Sequence, residues 1–358
     1  MTKKIAVITH RSDHRGGMER YAMDIAYQLA TNGQLATLLT KCYPPTTTLQ
    51  KAMTIRSLGL RWLPAKLQTL LFSIYCWWYK KNNPEVILFT CSKVFCPDIM
   101  ICGGTHKGYL QATQKTLTLM DRLEIFYEKQ AYQRATIVVA HSAEMRQELM
   151  TLYGIAADKI ITLYPPVDQK NFFLKKDPAA KQRFFKQLNI EVGNKRIFLF
   201  PSSGHKRKGL DNLLKAFSHF EQEAVLLVAG KRPRITQSNL IALGYCSDMS
   251  ALYAACDYTI LASVYEPFGL VAVESILCGT PVLLSEVCGC NPVLSEKARI
   301  TFKADRLEEI ISAIATALQT PLTIQHPSAC IHYSVDIQAH LEEILHFFKK
   351  RVSHHSYE

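Results

Sequence analysis

Short apolar runs alternate with amphipathic helical patterns along nearly the whole chain. The runs that predict strands cover residues 5–8, 35–40, 86–90, 99–102, 137–140 and 160–163 in the first half, and 197–200, 225–229, 258–262 and 281–285 in the second. Helical patterns between them include residues 18–31, 142–153, 210–220 and 270–278. This alternation predicts parallel βαβ units, so we expect an α/β fold.

The chain divides into two such series. Pro165 and Pro166 end the first series, and a polar, Lys-rich stretch up to about residue 195 precedes the second. Because two prolines stiffen a hinge and exclude helix, we predict domains at residues 1–167 and 168–335. A last helix, residues 336–352, carries an apolar stripe that must cover some surface. The stripe consists of Leu341, Ile344, Leu345 and Phe348.

Composition and charge narrow the class of protein. Of 358 residues, 48% are apolar, and no uninterrupted apolar run reaches the length of a spanning helix. The N-terminal apolar run stops at Ile8, too early for a signal peptide, and the eleven cysteines contain no Cys-x-x-Cys pair. We therefore expect a cytoplasmic protein. The net charge of +12 favours nucleic acid, an anionic membrane face or phosphate-bearing substrates without choosing among them.

Glycines and cations gather directly after the predicted strands. In an open parallel sheet, ligands bind beyond the carboxyl ends of the strands. The polar segments at these positions are His10 to Met18 (with Asp13, Arg15, Gly16 and Gly17), Gly103 to Lys107, Ser202 to Gly209, Gly230 to Arg234 and Ser263 to Gly269. Segments of this composition are suited to bind an anionic ligand.

The segment from Gly204 to Gly209 places Lys206, Arg207 and Lys208 immediately before a helix. Free N–H groups and the helix dipole favour phosphate there, so we interpret the run as a phosphate site rather than a solvated basic turn. The spacing of a P-loop is absent.

The segment from Glu266 to Glu274 is more specific. Glu266 lies in a loop, Pro267 favours the first helical turn, and Glu274 falls inside an otherwise apolar helix. The backbone N–H groups placed to take a diphosphate belong to Phe268, Gly269 and Leu270. A buried carboxylate needs partners, which the vicinal hydroxyls of a ribose would supply. The alternative is a glutamate at the rim of the apolar face.

These residues resemble the family 4 retaining glycosyltransferases of GT-B fold, along nearly the whole chain. The resemblance is carried by Gly16-Gly17 before the first helix, His106 after a mid-domain strand, Arg207-Lys208-Gly209, and the Glu-x7-Glu pair Glu266 and Glu274. Val287-Cys288-Gly289 is similar to the lipopolysaccharide core glucosyltransferases of that family. The resemblance implies two Rossmann-like domains facing across a cleft, an acceptor-binding one and a nucleotide-sugar-binding one, with the C-terminal helix crossing back to the first.

The resemblance also implies roles for individual residues. Lys208, beside Arg207, would neutralise the donor diphosphate, and Glu274 would hold the ribose. Glu266 and the amides of Phe268, Gly269 and Leu270 would address the donor sugar and phosphate. His106 would lie by the reacting sugar, and Gly16-Gly17 near the donor phosphate and the acceptor. Such enzymes usually need no metal, so we expect neither a metal nor a cofactor; no Asp-x-Asp triplet occurs.

One position departs from the family pattern. Many relatives carry an arginine six residues before the lysine that corresponds to Lys208, whereas Ser202 stands here. Arg207, Lys206 or His205 replaces that arginine, or the diphosphate is held with one cation fewer.

The resemblance therefore predicts a metal-independent hexosyltransferase that moves a sugar from a nucleotide diphosphate sugar, UDP being the commonest, to a cell-envelope glycan such as lipopolysaccharide core. The stretch 60–81 is rich in Trp, Tyr and flanking cations, which indicates either a peripheral contact with the anionic inner membrane or ordinary packing. Alternatives are a nucleotide-sugar epimerase, an inactive partner subunit and a basic nucleic-acid-binding protein. No nucleic-acid-binding motif occurs, so we expect no nucleic-acid partner.

Overall fold

A computed structural model describes residues 4–11, 16–42, 53–59, 62–174, 180–188 and 190–355. The chain folds into two units. Unit 1 comprises Met1–Pro166 and Asp336–Glu358, and unit 2 comprises Val167–Val335. The change from one unit to the next falls directly after the Pro165-Pro166 pair. Asp13, Arg15, Leu60 and Arg61, which the sequence analysis included in candidate segments, lie outside the described residues.

Unit 1 is built on a parallel sheet whose seven described strands follow the order β3-β2-β1-β4-β5-β6-β7. The strands are β1 (Ile5–Arg11), β2 (Leu35–Cys42), β3 (Ile55–Ser57), β4 (Ile87–Thr90), β5 (Ile99–Cys102), β6 (Ile137–Ala140) and β7 (Ile160–Thr162). The helices are α1 (Gly17–Thr31), α2 (Ala65–Asn82), α3 (His106–Ala112), α4 (Leu119–Arg134), α5 (Ala143–Tyr153) and, from the end of the chain, α12 (Ile337–His355).

Unit 2 repeats the architecture with a parallel sheet of six described strands in the order β10-β9-β8-β11-β12-β13. The strands are β8 (Arg196–Ser202), β9 (Ala224–Gly230), β10 (Leu240–Gly244), β11 (Tyr258–Leu261), β12 (Val282–Ser285) and β13 (Arg299–Phe302). The helices are α6 (Ala180–Gln187), α7 (His205–Lys208), α8 (Leu210–Phe217), α9 (Met249–Ala255), α10 (Leu270–Leu277) and α11 (Leu307–Gln319).

All ten predicted strands are present, which confirms the α/β class. Three strands were missed, β3, β10 and β13, and each lies at an edge of its sheet. An edge strand has only one neighbour and is partly exposed, so its sequence lacks the continuous apolar run of a central strand. The burial of β10 illustrates this, since all five of its residues are only half-buried.

The C-terminal helix α12 returns to unit 1, as the resemblance implies. Leu341, Ile344 and Phe348 are buried in the same apolar cluster as residues of α1 and of the central strands. Within that contact, the Tyr21 hydroxyl and Nε2 of His340 are 2.8 Å apart. The helix continues to His355, three residues beyond the predicted end. Its apolar stripe is therefore explained by the surface of unit 1.

Among the described residues, no helix is both long enough and apolar enough to cross a membrane.

Candidate active site

In unit 2, the segment after β8 forms a single helical turn directly before α8. Residues His205 to Lys208 make α7, and Gly209 separates it from α8 with a φ of +76°. A Cβ at Gly209 would lie 2.1 Å from the carbonyl oxygen of Ala262, the residue that follows β11. Only glycine tolerates both the left-handed conformation and this backbone contact. The ends of β8 and β11 are thereby held together, with Arg207 and Lys208 between them.

The side chain of Lys208 is directed back towards the end of β8, the strand that precedes α7. Its Nζ donates to the carbonyl oxygen of Pro201 at 2.9 Å. Burial lowers the pKa of this ammonium group, and the neighbouring Glu266 opposes that effect. A partly buried cation with one neutral hydrogen-bond partner gains free energy when an anion approaches, because the interaction is poorly screened there. Lys208 is thus suited to bind a phosphate.

Arg207 and Glu266, both predicted site residues, form an ion pair. Nη1 of Arg207 lies 3.1 Å from Oε2 of Glu266 and also donates to the carbonyl oxygen of Tyr265 at 2.6 Å. The same carboxylate oxygen accepts from Oγ of Ser263 at 3.0 Å. The guanidinium and the hydroxyl together fix the orientation of Glu266 at the end of β11.

The segment from Glu266 to Gly269 is held by the loop after β12. The backbone N–H of Gly289 donates to the carbonyl of Glu266 at 3.2 Å, and that of Cys290 donates to Phe268 at 2.8 Å. Gly269, with φ +94°, is the N-cap of α10, so Pro267 lies before the cap and the expectation of proline in the first helical turn is wrong. A β-carbon at Gly269 would approach Sγ of Cys290 to 3.2 Å. The first N–H groups of a helix have no partner within it, and here Leu270 starts α10.

Glu274 is buried within α10, with 5% of its surface exposed. Its Oε2 accepts a hydrogen bond of 2.9 Å from the hydroxyl of Tyr253, which is itself fully buried on α9. The expectation that a carboxylate among apolar residues needs partners is met in part by the protein itself. The hydroxyl of Tyr253 therefore orients the carboxylate of Glu274 from the neighbouring helix α9.

In unit 1, Gly16 and Gly17 start α1. Gly16 is the extended N-cap and makes no side-chain cap, while a Cβ on Gly17 would meet nothing within 4 Å. Gly103, after β5, is packed against Met18, since a Cβ there would lie 2.2 Å from its sulfur. The close approach of these glycine segments places the start of α1 beside the end of β5.

His106 is the first residue of α3, and α4 holds it at two points. The backbone N–H of His106 donates to Oε2 of Glu128 at 2.9 Å, and its Nε2 lies 2.8 Å from Oδ1 of Asp121. Asp121 also forms the capping box of α4 with Thr118. Hydrogen bonds from Thr118, and then the bond with His106, lower the pKa of Asp121 to about 2. The ionised carboxylate accepts from Nε2–H and thereby orients the imidazole ring.

Glu128 is fully buried and connects several elements of unit 1. Besides His106, it contacts Nζ of Lys93 at 3.1 Å and accepts from the hydroxyl of Tyr153. Burial by itself would lower the pKa of Lys93, but Glu128 and Glu124 outweigh it and raise that pKa above its usual value. The buried charge of Glu128 is therefore paired with Lys93, and this ion pair connects α4 to the segment after β4.

Unit 2 brings Arg207, Lys208, Glu266, Gly269 and Glu274 to one edge of its sheet, and unit 1 holds Gly16, Gly17 and His106 at the corresponding edge of its own. The sequence analysis missed Asp121, Glu128 and Tyr253. Each acts through a side chain that folding brings to a site residue, and no local spacing signals it. Among the described residues, no group of three or more His, Cys, Asp or Glu side chains is arranged to hold a metal ion.

Comparisons with known proteins agree with this architecture. Residues 15–171 match the family model described as Glycosyltransferase Family 4, and residues 181–334 match the one described as Glycosyl transferases group 1. A probable transglycosylase of Burkholderia thailandensis is 34% identical over 337 residues, which cover 92% of each chain.

Solved structures show the same fold. The crystal structure of WaaG, a glycosyltransferase involved in lipopolysaccharide biosynthesis, superimposes with a TM-score of 0.77 at 18% identity, covering 88% of this chain and 90% of that one. HepE of Anabaena, crystallised with UDP and glucose, gives a TM-score of 0.66 at 18% identity and covers 99% of this chain and 100% of its own. The two parallel-sheet units therefore form the GT-B fold.

Proposed function

The chain belongs to the group 1 and family 4 glycosyltransferases of GT-B fold, and from this membership we propose that it is a retaining hexosyltransferase. The donor is a nucleotide diphosphate sugar, with uridine as the base, and the acceptor is a cell-envelope glycan such as lipopolysaccharide core. The observation that carries the proposal is the partly buried ammonium group of Lys208 beside the Arg207–Glu266 pair, at the end of β8. The ligands of HepE and the pathway of WaaG support the base and the acceptor.

The donor fits the charges of unit 2. A diphosphate would supply negative charge to Lys208, whose Nζ donates to the neutral Pro201 carbonyl at 2.9 Å. The start of α10 adds unpaired N–H groups and a favourable dipole. Glu274, whose carboxylate Tyr253 orients from α9, then takes the ribose hydroxyls. Phosphate and ribose are thus recognised by residues from different strand ends of one sheet.

The transfer needs stabilisation of the leaving diphosphate more than it needs a nucleophile. As the bond from the anomeric carbon to the phosphate oxygen breaks, negative charge grows on the diphosphate, and Lys208 stabilises it. The acceptor oxygen attacks the same face of the oxocarbenium-like sugar, and its proton passes to the departing phosphate. In unit 1, His106, oriented by Asp121, is the polar group that we assign to the transferred sugar. No step requires a metal ion.

The function is tested by transfer of radiolabel from UDP-glucose, UDP-galactose and GDP-mannose to a cell-envelope glycolipid extract. We expect label in the glycolipid with one UDP-sugar, unchanged by EDTA and lost in Lys208→Ala, and an α-linked product from an α-linked donor by NMR. Interconversion of donors without an acceptor would instead identify an epimerase. Absence of both reactions with all three donors would contradict the proposal.

A peripheral membrane contact is a further part of the proposed function. On α2, Ile74, Trp77 and Trp78 are about half exposed, at 47%, 51% and 52%, and Trp62 before the helix is 80% exposed. The last turn of α2 carries Lys80 and Lys81. Exposed tryptophans beside lysines suit an anionic lipid surface. A second exposed apolar set lies on α4 and consists of Leu119, Met120, Leu123 and Phe126.

Flotation with vesicles of neutral lipid, with and without anionic lipid, tests the membrane contact. We expect salt-sensitive flotation only with the anionic vesicles, weakened in the double variant Trp77→Ser, Trp78→Ser. A double variant of α4, Leu119→Ser, Leu123→Ser, tests whether the second apolar set contributes. Equal flotation of the α2 variant and the wild-type protein would contradict the role of α2.

A further inference from the structure

Next to the proposed phosphate site, one imidazole nitrogen is buried without a hydrogen-bond partner in the part of the chain that the structure describes. This nitrogen is Nε2 of His205. The other ring nitrogen, Nδ1, lies 2.9 Å from Oγ of Ser202. Buried polar groups are nearly always paired, so an unpaired one beside a binding site indicates a ligand contact that is still to be made.

Ser202 is the residue at which the chain departs from the family pattern, because many relatives carry a phosphate-binding arginine there. It ends β8 and directly follows Pro201, whose carbonyl oxygen accepts from Lys208 Nζ at 2.9 Å. The carbonyl of Ser202 in turn accepts from the backbone N–H of Lys231 at 2.9 Å. Ser202 therefore sits at a fixed strand end beside the partly buried ammonium group, and it holds His205 there.

Of the three residues that could replace the arginine, His205 has the most suitable surroundings. The guanidinium of Arg207 is paired with Glu266 and bonded to the Tyr265 carbonyl. Lys206 is exposed, so water competes for its charge. His205 alone presents a buried donor atom, on a side chain whose orientation a second hydrogen bond already fixes.

The hydroxyl of Ser202 can donate to or accept from Nδ1, and the arrangement in which it donates makes Nε2 a donor. When it donates to Nδ1, the neutral imidazole carries its proton on Nε2. When the ring gains a second proton, Nδ1–H donates to the same hydroxyl, which accepts by rotating. In both charge states Nε2 keeps a hydrogen to donate. With the hydroxyl as donor, the pair presents Nε2–H towards a phosphate oxygen.

We propose that Ser202 and His205 together replace the missing arginine, with Nε2 of His205 donating to a phosphate oxygen of the nucleotide diphosphate. This inference rests on the proposed donor site of unit 2. It assigns to His205 a contact with the diphosphate rather than with the base or the sugar. A second consequence is that an arginine restored at position 202 makes His205 dispensable.

Titration calorimetry of the full chain with UDP, UMP and uridine tests the assignment. We expect His205→Ala to weaken UDP about tenfold, as for loss of one charge-assisted hydrogen bond, and to leave uridine binding unchanged. The control Lys215→Ala, which removes an exposed cation on α8, should bind UDP like the wild type. The double variant His205→Ala, Ser202→Arg should recover most of the lost affinity.

The outcomes separate this inference from the function on which it rests. Equal UDP affinity of His205→Ala and the wild type would overturn the role of His205 and leave the donor site intact. Equal losses for UDP and uridine would also overturn it, because they would indicate a distorted unit rather than a lost phosphate contact. If the wild type binds none of UDP, ADP and GDP, the donor site itself is wrong, and the role of His205 falls with it.

Discussion

In unit 2 the candidate donor-site residues contact one another. In unit 1 the candidate residue His106 is instead bound by side chains that belong to no recognisable motif. Arg207 pairs with Glu266, and both belong to the pattern that the sequence displays. His106 depends on Asp121 and Glu128, which lie 15 and 22 residues further along the chain. The contrast shows that a motif reveals the candidate site residues, while the residues that orient them emerge only from the fold.

The backbone of the candidate segments also differs between the two units. The site segments of unit 2 turn at Gly209 and Gly269, each in the left-handed region, so their geometry is fixed by glycine and by strand ends. In unit 1 both glycines at the start of α1 have ordinary backbone angles, since neither is among the glycines with positive φ. We therefore expect substitutions to act on binding and backbone in unit 2, and on orientation in unit 1.

The largest effect is expected at Lys208. Removing the cation that stabilises the leaving diphosphate in Lys208→Ala should lower kcat by about 10²–10³-fold, the loss typical of a preorganised transition-state contact. Steady-state assays of sugar transfer measure this, with Lys206→Ala as the matched control for loss of a nearby positive charge. Turnover of Lys208→Ala close to that of the control would contradict the role of the lysine.

The next largest effect is a loss of stability when Gly209 is replaced. Gly209→Ala should destabilise unit 2 by about 3 kcal/mol, because the left-handed conformation and a clash with the Ala262 carbonyl add together. Gly193→Ala is the control, since Gly193 also has a positive φ of 56° but meets nothing within 4 Å. It should cost only about 1 kcal/mol. Equal losses in denaturant unfolding would show that the contact with Ala262 does not matter.

Acid should affect unit 1 before unit 2. Burial lowers the pKa of His141 to about 3, with a smaller contribution from His340, and lowers that of His340 to about 4. Since both values lie below the ordinary value of 6.5, the unfolded state binds more protons as the pH falls. The stability that these two histidines contribute is present above pH 6.5, and about 2 kcal/mol of it should be lost between pH 6.5 and 5.5.

Hydrogen exchange at a series of pH values measures this loss unit by unit. Protection in α1, β6 and α12 should decrease first, because Tyr21, His141 and His340 meet there. Replacing His141 with Asn should reduce the slope of stability against pH by about a third, because burial also lowers the pKa of His10 in unit 1, to about 3. Simultaneous loss of protection in both units, or an unchanged slope in the variant, would contradict this account.

The smallest loss of activity is expected when the orientation of the His106 imidazole is disturbed. Asp121→Asn keeps an acceptor for Thr118 and for His106 but removes the charge that fixes the imidazole, so kcat should fall about tenfold while the donor KM stays unchanged. Asp158→Asn, in which the exposed partner of Arg351 is neutralised, serves as the control in the same unit. A rise in KM without a change in kcat would show that Asp121 supports binding rather than orientation.

The sequence was sufficient for the central strands and for the residues at their ends. Runs such as β5 and β6 are fully buried and therefore continuously apolar, so their bounds were predicted without error. The turn at His205 to Lys208 was not predicted, because four polar residues in a row carry no periodic pattern. The buried hydroxyl of Tyr253 could not be linked to Glu274 either, since α9 and α10 meet only in the folded unit.

The most direct test of the central claim is thermal stabilisation by UDP, ADP and GDP, with the wild type beside Glu274→Ala and the surface control Glu308→Ala. A nucleotide at about 100 times its dissociation constant should stabilise the folded protein by roughly 2.7 kcal/mol. We predict such a shift with UDP for the wild type and for Glu308→Ala, and its loss in Glu274→Ala. No shift with any nucleotide, or an equal shift in Glu274→Ala, would contradict a nucleotide-sugar site in unit 2.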